Sequence, residues 1–230
     1  MNNICFSFYT IGTAKVLISS GCHPGPLDNT EIIDLRSGKT FHMAPLASVA
    51  TGALLDGLPV IVGGDDRQIH SIAKDQSKFL GQLTVKREDA ASVVLSNNKL
   101  WVTGGLDQSD NELKTTEFVT KEGKTSKGPD LPLALFGHAI VALNRGVFIL
   151  IGGRSDDWYS SATYFYEEKK GWRPGPNLKN GRRYHTAGVL TDRVSTKQYI
   201  VAVGGSGAWT SVEYLEYPGS NEWMKGKPSH

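Results

Sequence analysis

The chain alternates short apolar runs with polar turns, and the same order of runs returns several times. Apolar runs stop at glycine doublets in four places: Val60-Ile61-Val62 before Gly63-Gly64, Trp101-Val102-Thr103 before Gly104-Gly105, Phe148-Ile149-Leu150-Ile151 before Gly152-Gly153, and Val201-Ala202-Val203 before Gly204-Gly205. The first glycines of these doublets are 41, 48 and 52 residues apart. A degraded copy, Val16-Leu17-Ile18-Ser19-Ser20-Gly21, keeps one glycine, with Ser20 standing 43 residues before Gly63. Ahead of each doublet lies a run with small residues, such as Ala90-Ala91-Ser92-Val93-Val94-Leu95 or His138-Ala139-Ile140-Val141-Ala142-Leu143, then a tight turn such as Ser96-Asn97-Asn98-Lys99 or Asn144-Arg145-Gly146. That order predicts a hairpin. After the glycines come a polar loop, a third run (Thr116-Glu117-Phe118-Val119, Tyr164-Phe165-Tyr166 or Glu213-Tyr214-Leu215-Glu216-Tyr217), another turn, and a short segment ending near proline. Each unit therefore predicts four short strands. No window keeps a helical period across three turns without glycine or proline, so the expected class is all-β.

Four strands repeating every 40 to 50 residues is the pattern of a propeller blade, a sheet that buries its faces only against its neighbours. The doublet, the Glu-x-Tyr-like third strand, the aromatic about ten residues later and the following proline together resemble the kelch repeat. The best copies are Ile151-Gly152-Gly153 with Tyr164, Tyr166, Trp172, Pro174 and Pro176, and Val203-Gly204-Gly205 with Glu213, Tyr214, Trp223 and Pro228. Three copies depart from it: Ser20-Gly21 replaces a doublet, Phe79 stands where tryptophan is expected, and Thr125 and Ser126 offer no aromatic. The Trp-Asp pair of WD repeats does not occur, and Gly-His stands once, at Gly137-His138. The resemblance implies one kelch-type β-propeller domain over 1–230, with units near 1–43, 44–83, 84–128, 129–178 and 179–230. It runs from an innermost strand at Ile4-Cys5-Phe6-Ser7-Phe8-Tyr9 to an outermost one at Asn221-Glu222-Trp223-Met224. Kelch rings usually close with six or seven blades. Five units read as an incomplete ring, belonging to a larger protein or finished by a partner, with a sealed five-bladed ring as the alternative.

Composition narrows the function. The 26 glycines among 230 residues exceed the usual share, and the doublets account for part of the excess. Lys+Arg 25 against Asp+Glu 23 leaves +2, too little for a chain that grips phosphate backbones, so no nucleic-acid partner is expected. Two cysteines, Cys5 and Cys22, make neither a disulfide framework nor a zinc site, which fits a reducing, cytoplasmic setting. The first 14 residues are uncharged, but no basic stretch precedes them and Gly12 and Lys15 interrupt the apolar run, so they read as a strand rather than a leader. No run approaches the length of a membrane span.

The doublets read as packing devices, since phosphate-cradling glycines need a helix behind them and strands follow here. This applies to Gly63, Gly64, Gly104, Gly105, Gly152, Gly153, Gly204 and Gly205. His138 and His185 hold matching places in different units and read as structural, with no metal and no cofactor expected. Asp65-Asp66 and Asp156-Asp157 alternate in direction along extended chain, so neither pair is an acid/base couple.

Loops joining second to third strands and unit to unit should emerge on one side. They carry Arg87, Arg154, Arg182 and Arg183 interleaved with Trp158, Tyr159 and Trp209, as well as Phe136 and Tyr184. Arginines among aromatic rings suit a peptide-binding surface. The resemblance to kelch adaptors of ubiquitin ligases implies that such arginines hold acidic peptide segments. For Arg182 and Arg183 a structural role at the blade junction stands beside the binding role. The expectation is a non-enzymatic module, a substrate receptor or scaffold, binding a protein or peptide partner through one loop face. The alternatives are a sugar-modifying or oxidase enzyme on the same fold, or an actin-associated structural protein.

Overall fold

Runs of β-branched and aromatic residues closed off by glycine, proline or asparagine pair as strands rather than continue as helix. The computed structural model describes residues 7–11, 15–19, 30–43, 50–73, 76–156, 158–192, 194–195 and 197–226. Ser20-Gly21, Cys5, Cys22 and Pro228 lie outside them. The described residues form antiparallel sheets without an α-helix, the single helical turn being the 3₁₀ turn Asn144–Gly146. No helix among them is long and apolar enough to cross a membrane.

The chain packs as two compact units, Met1–Asp130 and Leu131–His230. The first holds three four-stranded sheets, each made in chain order from one stretch: β1 (Ser7–Ile11), β2 (Lys15–Ser19), β3 (Thr30–Asp34) and β4 (Thr40–Met43); β5 (Thr51–Leu55), β6 (Leu58–Val62), β7 (Gln68–Ala73) and β8 (Gln76–Gln82); β9 (Ala91–Val94), β10 (Leu100–Thr103), β11 (Thr116–Val119) and β12 (Thr125–Lys127). The second holds two such sheets. One is formed by β13 (Ala139–Ala142), β14 (Val147–Ile151), β17 (Thr163–Glu167) and β18 (Gly171–Pro174), with a two-stranded ribbon, β15 (Arg154–Ser155) and β16 (Trp158–Tyr159), inserted after β14. The other is β19 (Thr186–Thr191), β20 (Gln198–Val203), β21 (Val212–Tyr217) and β22 (Met224–Lys225). The sequence reads 154–161 as a polar loop; the structure pairs Arg154 with Tyr159 and Ser155 with Trp158 across a turn where Asp156 takes φ +47°. The outermost strand also lies later than Asn221–Met224, because the Ser220 side chain first closes a turn onto Glu222.

Successive side chains on a strand face opposite ways, so each sheet offers two faces. In the first unit Leu55, Val60, Val62 and Ile69 of one sheet pack with Leu100, Val102 and Val119 of the next. In the second unit Ile149, Ile151 and Phe165 pack with Ile200, Ala202 and Leu215. Threonine, tryptophan and proline tie the outer strands down. Thr116 and Thr163 donate their hydroxyls to the carbonyls of Pro129 and Pro176 (2.9 and 2.8 Å), and the Trp223 indole donates to the Pro176 carbonyl (2.9 Å). The prolines after the fourth strands thus serve as acceptors.

All eight doublet glycines have positive φ. At Gly152 both conformation and space demand glycine: φ is +58°, and a Cβ would lie 2.7 Å from the Arg182 carbonyl oxygen and 3.0 Å from the His185 ring. Gly204 differs, since a Cβ there would meet only the Trp209 carbonyl oxygen at 3.5 Å; its φ of +64°, not contact, excludes other residues. Gly152→Ala should lower unfolding free energy by about 2 kcal/mol or more, combining left-handed backbone with a clash. Gly188→Ala, on open strand with nothing within 4 Å of a Cβ, should stay within about 0.5 kcal/mol in the same urea titration.

Candidate functional site

Two of the four candidate arginines lie in the interior. Arg87 and Arg182 are 1% and 0% exposed, each four residues before the first strand of a sheet. Arg87 donates from Nε to Glu117 Oε1 (3.0 Å), from Nη1 to the carbonyls of Gly104 (3.0 Å) and Thr115 (2.7 Å), and from Nη2 to Thr115 Oγ1 (2.9 Å). Arg182 repeats the pattern with Glu213, the carbonyls of Gly204 (2.9 Å) and Ser211 (3.3 Å), and Ser211 Oγ (2.7 Å). The carboxylates complete the circuit back to the entering loop: Glu117 accepts from the Thr84 N–H (2.8 Å), and Glu213 from the N–H groups of Lys179 (2.6 Å) and Asn180 (3.1 Å). Burial lowers the Arg87 pKa and Glu117 opposes the shift. These geometries remove Arg87 and Arg182 from the partner-binding set. A side chain with no exposed surface cannot meet a partner, and Arg182 takes the structural role.

In the β13–β18 sheet, which comes between them in chain order, the same two positions are apolar. Leu135 stands four residues before β13 and Tyr164 second in β17, and both join a cluster with Leu131 and Leu150. One architecture thus accepts either an ion pair or an apolar pair at this joint.

The loops behave differently. Backbone bridges Phe136 to Arg154 and Arg183 to Ser206 bring the entering loop of each sheet in the second unit against the loop after its glycine doublet. Arg183 follows Arg182 directly, so its side chain leaves the chain on the other side. Its guanidinium carbon lies 5.3 Å from the Phe136 ring centroid, 5.5 Å from Tyr159 and 4.8 Å from Tyr184. Arg154 approaches the same Phe136 ring at 5.6 Å. Cations within about 6 Å of a ring are attracted to its face. Arg183 has no ion pair with a described carboxylate, and its Nε is buried without a hydrogen-bond partner. Tyr184 sits at φ +55°, an unfavourable conformation for a bulky residue, packed against Gly137.

Trp158 and Tyr159 project from the ribbon, 79% and 45% exposed. Tyr159 rests on glycine backbone, since a Cβ at Gly207 would lie 2.7 Å from its ring. Arg154, Arg183, Trp158 and Tyr159 therefore share one loop cluster. Trp209 is exposed in the β20–β21 loop, and no described ring contact joins it to the arginines. The sequence could not separate Arg182 from Arg183; the signal was the carboxylate two strands later, Glu213, matched by Glu117 for Arg87.

Other chemistry is sparse. The sequence expects His138 and His185 apart. They do sit in different sheets, but both pack on one doublet, a Cβ at Gly153 lying 2.8 Å from His138 Cβ and one at Gly152 lying 3.0 Å from His185 Cε1. Burial pushes the His138 imidazole down to about 3. Burial, then Arg182 and His138, push His185 down to about 3 as well. No group of three His, Cys, Asp or Glu suited to a metal occurs among the described residues. Asp66 caps its own loop, accepting from the Gln68 N–H (2.6 Å), and burial beside Asp66 raises the Asp65 pKa. No protein-family model and no curated protein matches the chain.

Removing one partner of a buried pair should cost about 3 kcal/mol or more, so Arg182→Leu and Glu213→Tyr should each destabilise strongly by thermal melting. The double variant, which installs the leucine and tyrosine of the neighbouring sheet, should be more stable than either single one. The histidines set a second expectation. Unfolded imidazole binds protons near pH 6.5 while the folded rings resist to about 3. Their stabilisation is therefore full above about 6.5 and falls as pH drops towards 3. Urea midpoints between about pH 7 and 5, above most carboxylate titration, should decline, and His185→Gln should flatten the decline.

Proposed function

We propose that the chain is a kelch-type β-propeller module, each four-stranded sheet a blade, that holds an acidic segment of a partner protein through the loop cluster of its Leu131–His230 unit. The repeated sheets and their positive-φ glycine doublets support the propeller reading. The observation that carries the binding reading is Arg183, a guanidinium bracketed by three rings with no acid of its own among the described residues. An arginine so placed is already oriented and partly desolvated, so a carboxylate gains a charge-assisted contact with little ordering cost. Arg154 adds a second positive group over the same ring, and exposed Trp158 offers a flat surface for an apolar neighbour of the acid. Arg87 and Arg182 serve this surface indirectly, by holding the loops that carry it. The module acts by binding, as a receptor or scaffold would.

The test is fluorescence anisotropy against a panel of labelled peptides carrying Asp or Glu beside an aromatic or aliphatic residue. An acidic peptide should bind, more weakly as salt rises, and Arg183→Ala or Trp158→Ala should each weaken it about tenfold, near 1.4 kcal/mol. Thermal melts should stay close to the parent's. Binding confined to neutral or basic peptides, or indifferent to both substitutions, would overturn the reading.

A further inference from the structure

Phe165 and Arg173 stand directly opposite each other on β17 and β18, so their side chains leave the sheet on the same face. The Arg173 guanidinium carbon accordingly lies 4.3 Å from the Phe165 ring centroid. Tyr217, the last residue of β21, stacks on the same ring from the next sheet, with centroids 5.2 Å apart and planes 26° from parallel. Tyr217 pairs with Gln198, the first residue of β20, and so stands at the end of its sheet remote from the Gly204-Gly205 doublet and the Arg183 loop cluster.

These three side chains line a cleft of about 350 Å³, completed from the first sheet by Pro174 and Pro176 and from the second by Pro218, Ser220 and Asn221. That volume falls at the lower end of the roughly 300–1,000 Å³ of small-molecule sites. Its walls are fixed in advance. The Pro176 carbonyl accepts from the Thr163 hydroxyl (2.8 Å) and the Trp223 indole (2.9 Å), and the Ser220 hydroxyl donates to the Glu222 carbonyl (2.9 Å). The prolines carry no N–H through which these segments could pair with another strand.

Arg173 is the one charged residue among those that line the cleft, and its side chain is 49% exposed. Its Nε stands 3.7 Å from Glu167, whose carboxylate is held more closely by Lys170 at 2.6 Å. One acid thus serves two cations. The neighbouring carboxylates of Glu216 and Glu222 are engaged by Lys197 and Lys179.

We propose that this cleft binds a small aromatic acid, its carboxylate on Arg173 and its ring against the Tyr217 and proline rings. Charge complementarity selects the acid, since a guanidinium laid over a ring is already oriented for a planar carboxylate. Flat walls select the ring, and the volume suits a body of one or two rings rather than an extended segment. The inference uses none of the residues of the Arg183 cluster and is independent of the acidic-segment reading.

Calorimetric titration with naphthoate, and with uncharged naphthamide as the control, tests it. Naphthoate should bind, and naphthamide about tenfold more weakly or less. Arg173→Met keeps an apolar stem over Phe165, so the melting midpoint should stay near the parent's while naphthoate affinity falls about tenfold. Arg173→Lys, which keeps the charge without the planar fork, should fall between the two. Arg183→Ala should leave naphthoate binding unchanged. No binding, equal binding of acid and amide, indifference to Arg173→Met, or dependence on Arg183 would each overturn the proposal. So would tighter, Arg173-dependent binding of a peptide ending in a free phenylalanine carboxylate, since the occupant would then be a protein terminus.

Discussion

The joint between sheets turns on a buried guanidinium held by a carboxylate and by the carbonyl of a doublet glycine. Isolated, either charge would be very costly in the interior. Paired, Arg182 links three segments far apart in sequence: the entering loop, the doublet at Gly204 and the third strand at Glu213. Glu213 closes the loop back through the Lys179 and Asn180 amides. Arg87 joins the matching partners Gly104 and Glu117, although it meets its carboxylate through Nε where Arg182 uses Nη2. Glycine is needed at the doublet because left-handed backbone turns these carbonyls toward the arginine.

The apolar joint at Leu135 and Tyr164 shows that charge is not required for the architecture. A buried ion pair can often be replaced by well-packed apolar groups at little cost, whereas half a pair cannot be tolerated. What the pair adds is geometry. With Arg182 immobile, Arg183 is directed to the opposite side, where Phe136, Tyr159 and Tyr184 receive it. The cation–ring cluster on the loops thus lies one residue away from a packing device. The strained Tyr184 backbone lies next in the chain, at φ +55° and held by its packing on Gly137.

Much of the fold was legible because its signals are local. Glycine doublets mark strand ends through φ alone, as Gly204 illustrates with its nearly empty surroundings. The Asp56-Gly57 turn, at φ +50° and +76°, joins β5 to β6 by the two-residue geometry that suits a hairpin. The ribbon at Arg154–Tyr159 is not legible in the sequence, since each of its strands has two residues, too few for any alternation. Repeat symmetry places His138 and His185 at the entries to separate sheets but says nothing of the one doublet both touch.

The amino-acid order by itself determined the all-β class, the repeating four-strand grammar and the loops where arginine and aromatic residues gather, because turn chemistry and side-chain alternation act over a few residues. Only the tertiary structure decided which arginines are interior and which lie among the loop aromatics, since burial depends on carboxylates 30 and 31 residues away. It alone decided also that Leu190, Val203 and Val212 are exposed while Leu143 and Ile151, at the matching positions of the preceding sheet, are buried. Faces identical in pattern become core or surface according to whether another sheet lies against them, and no local propensity carries that information.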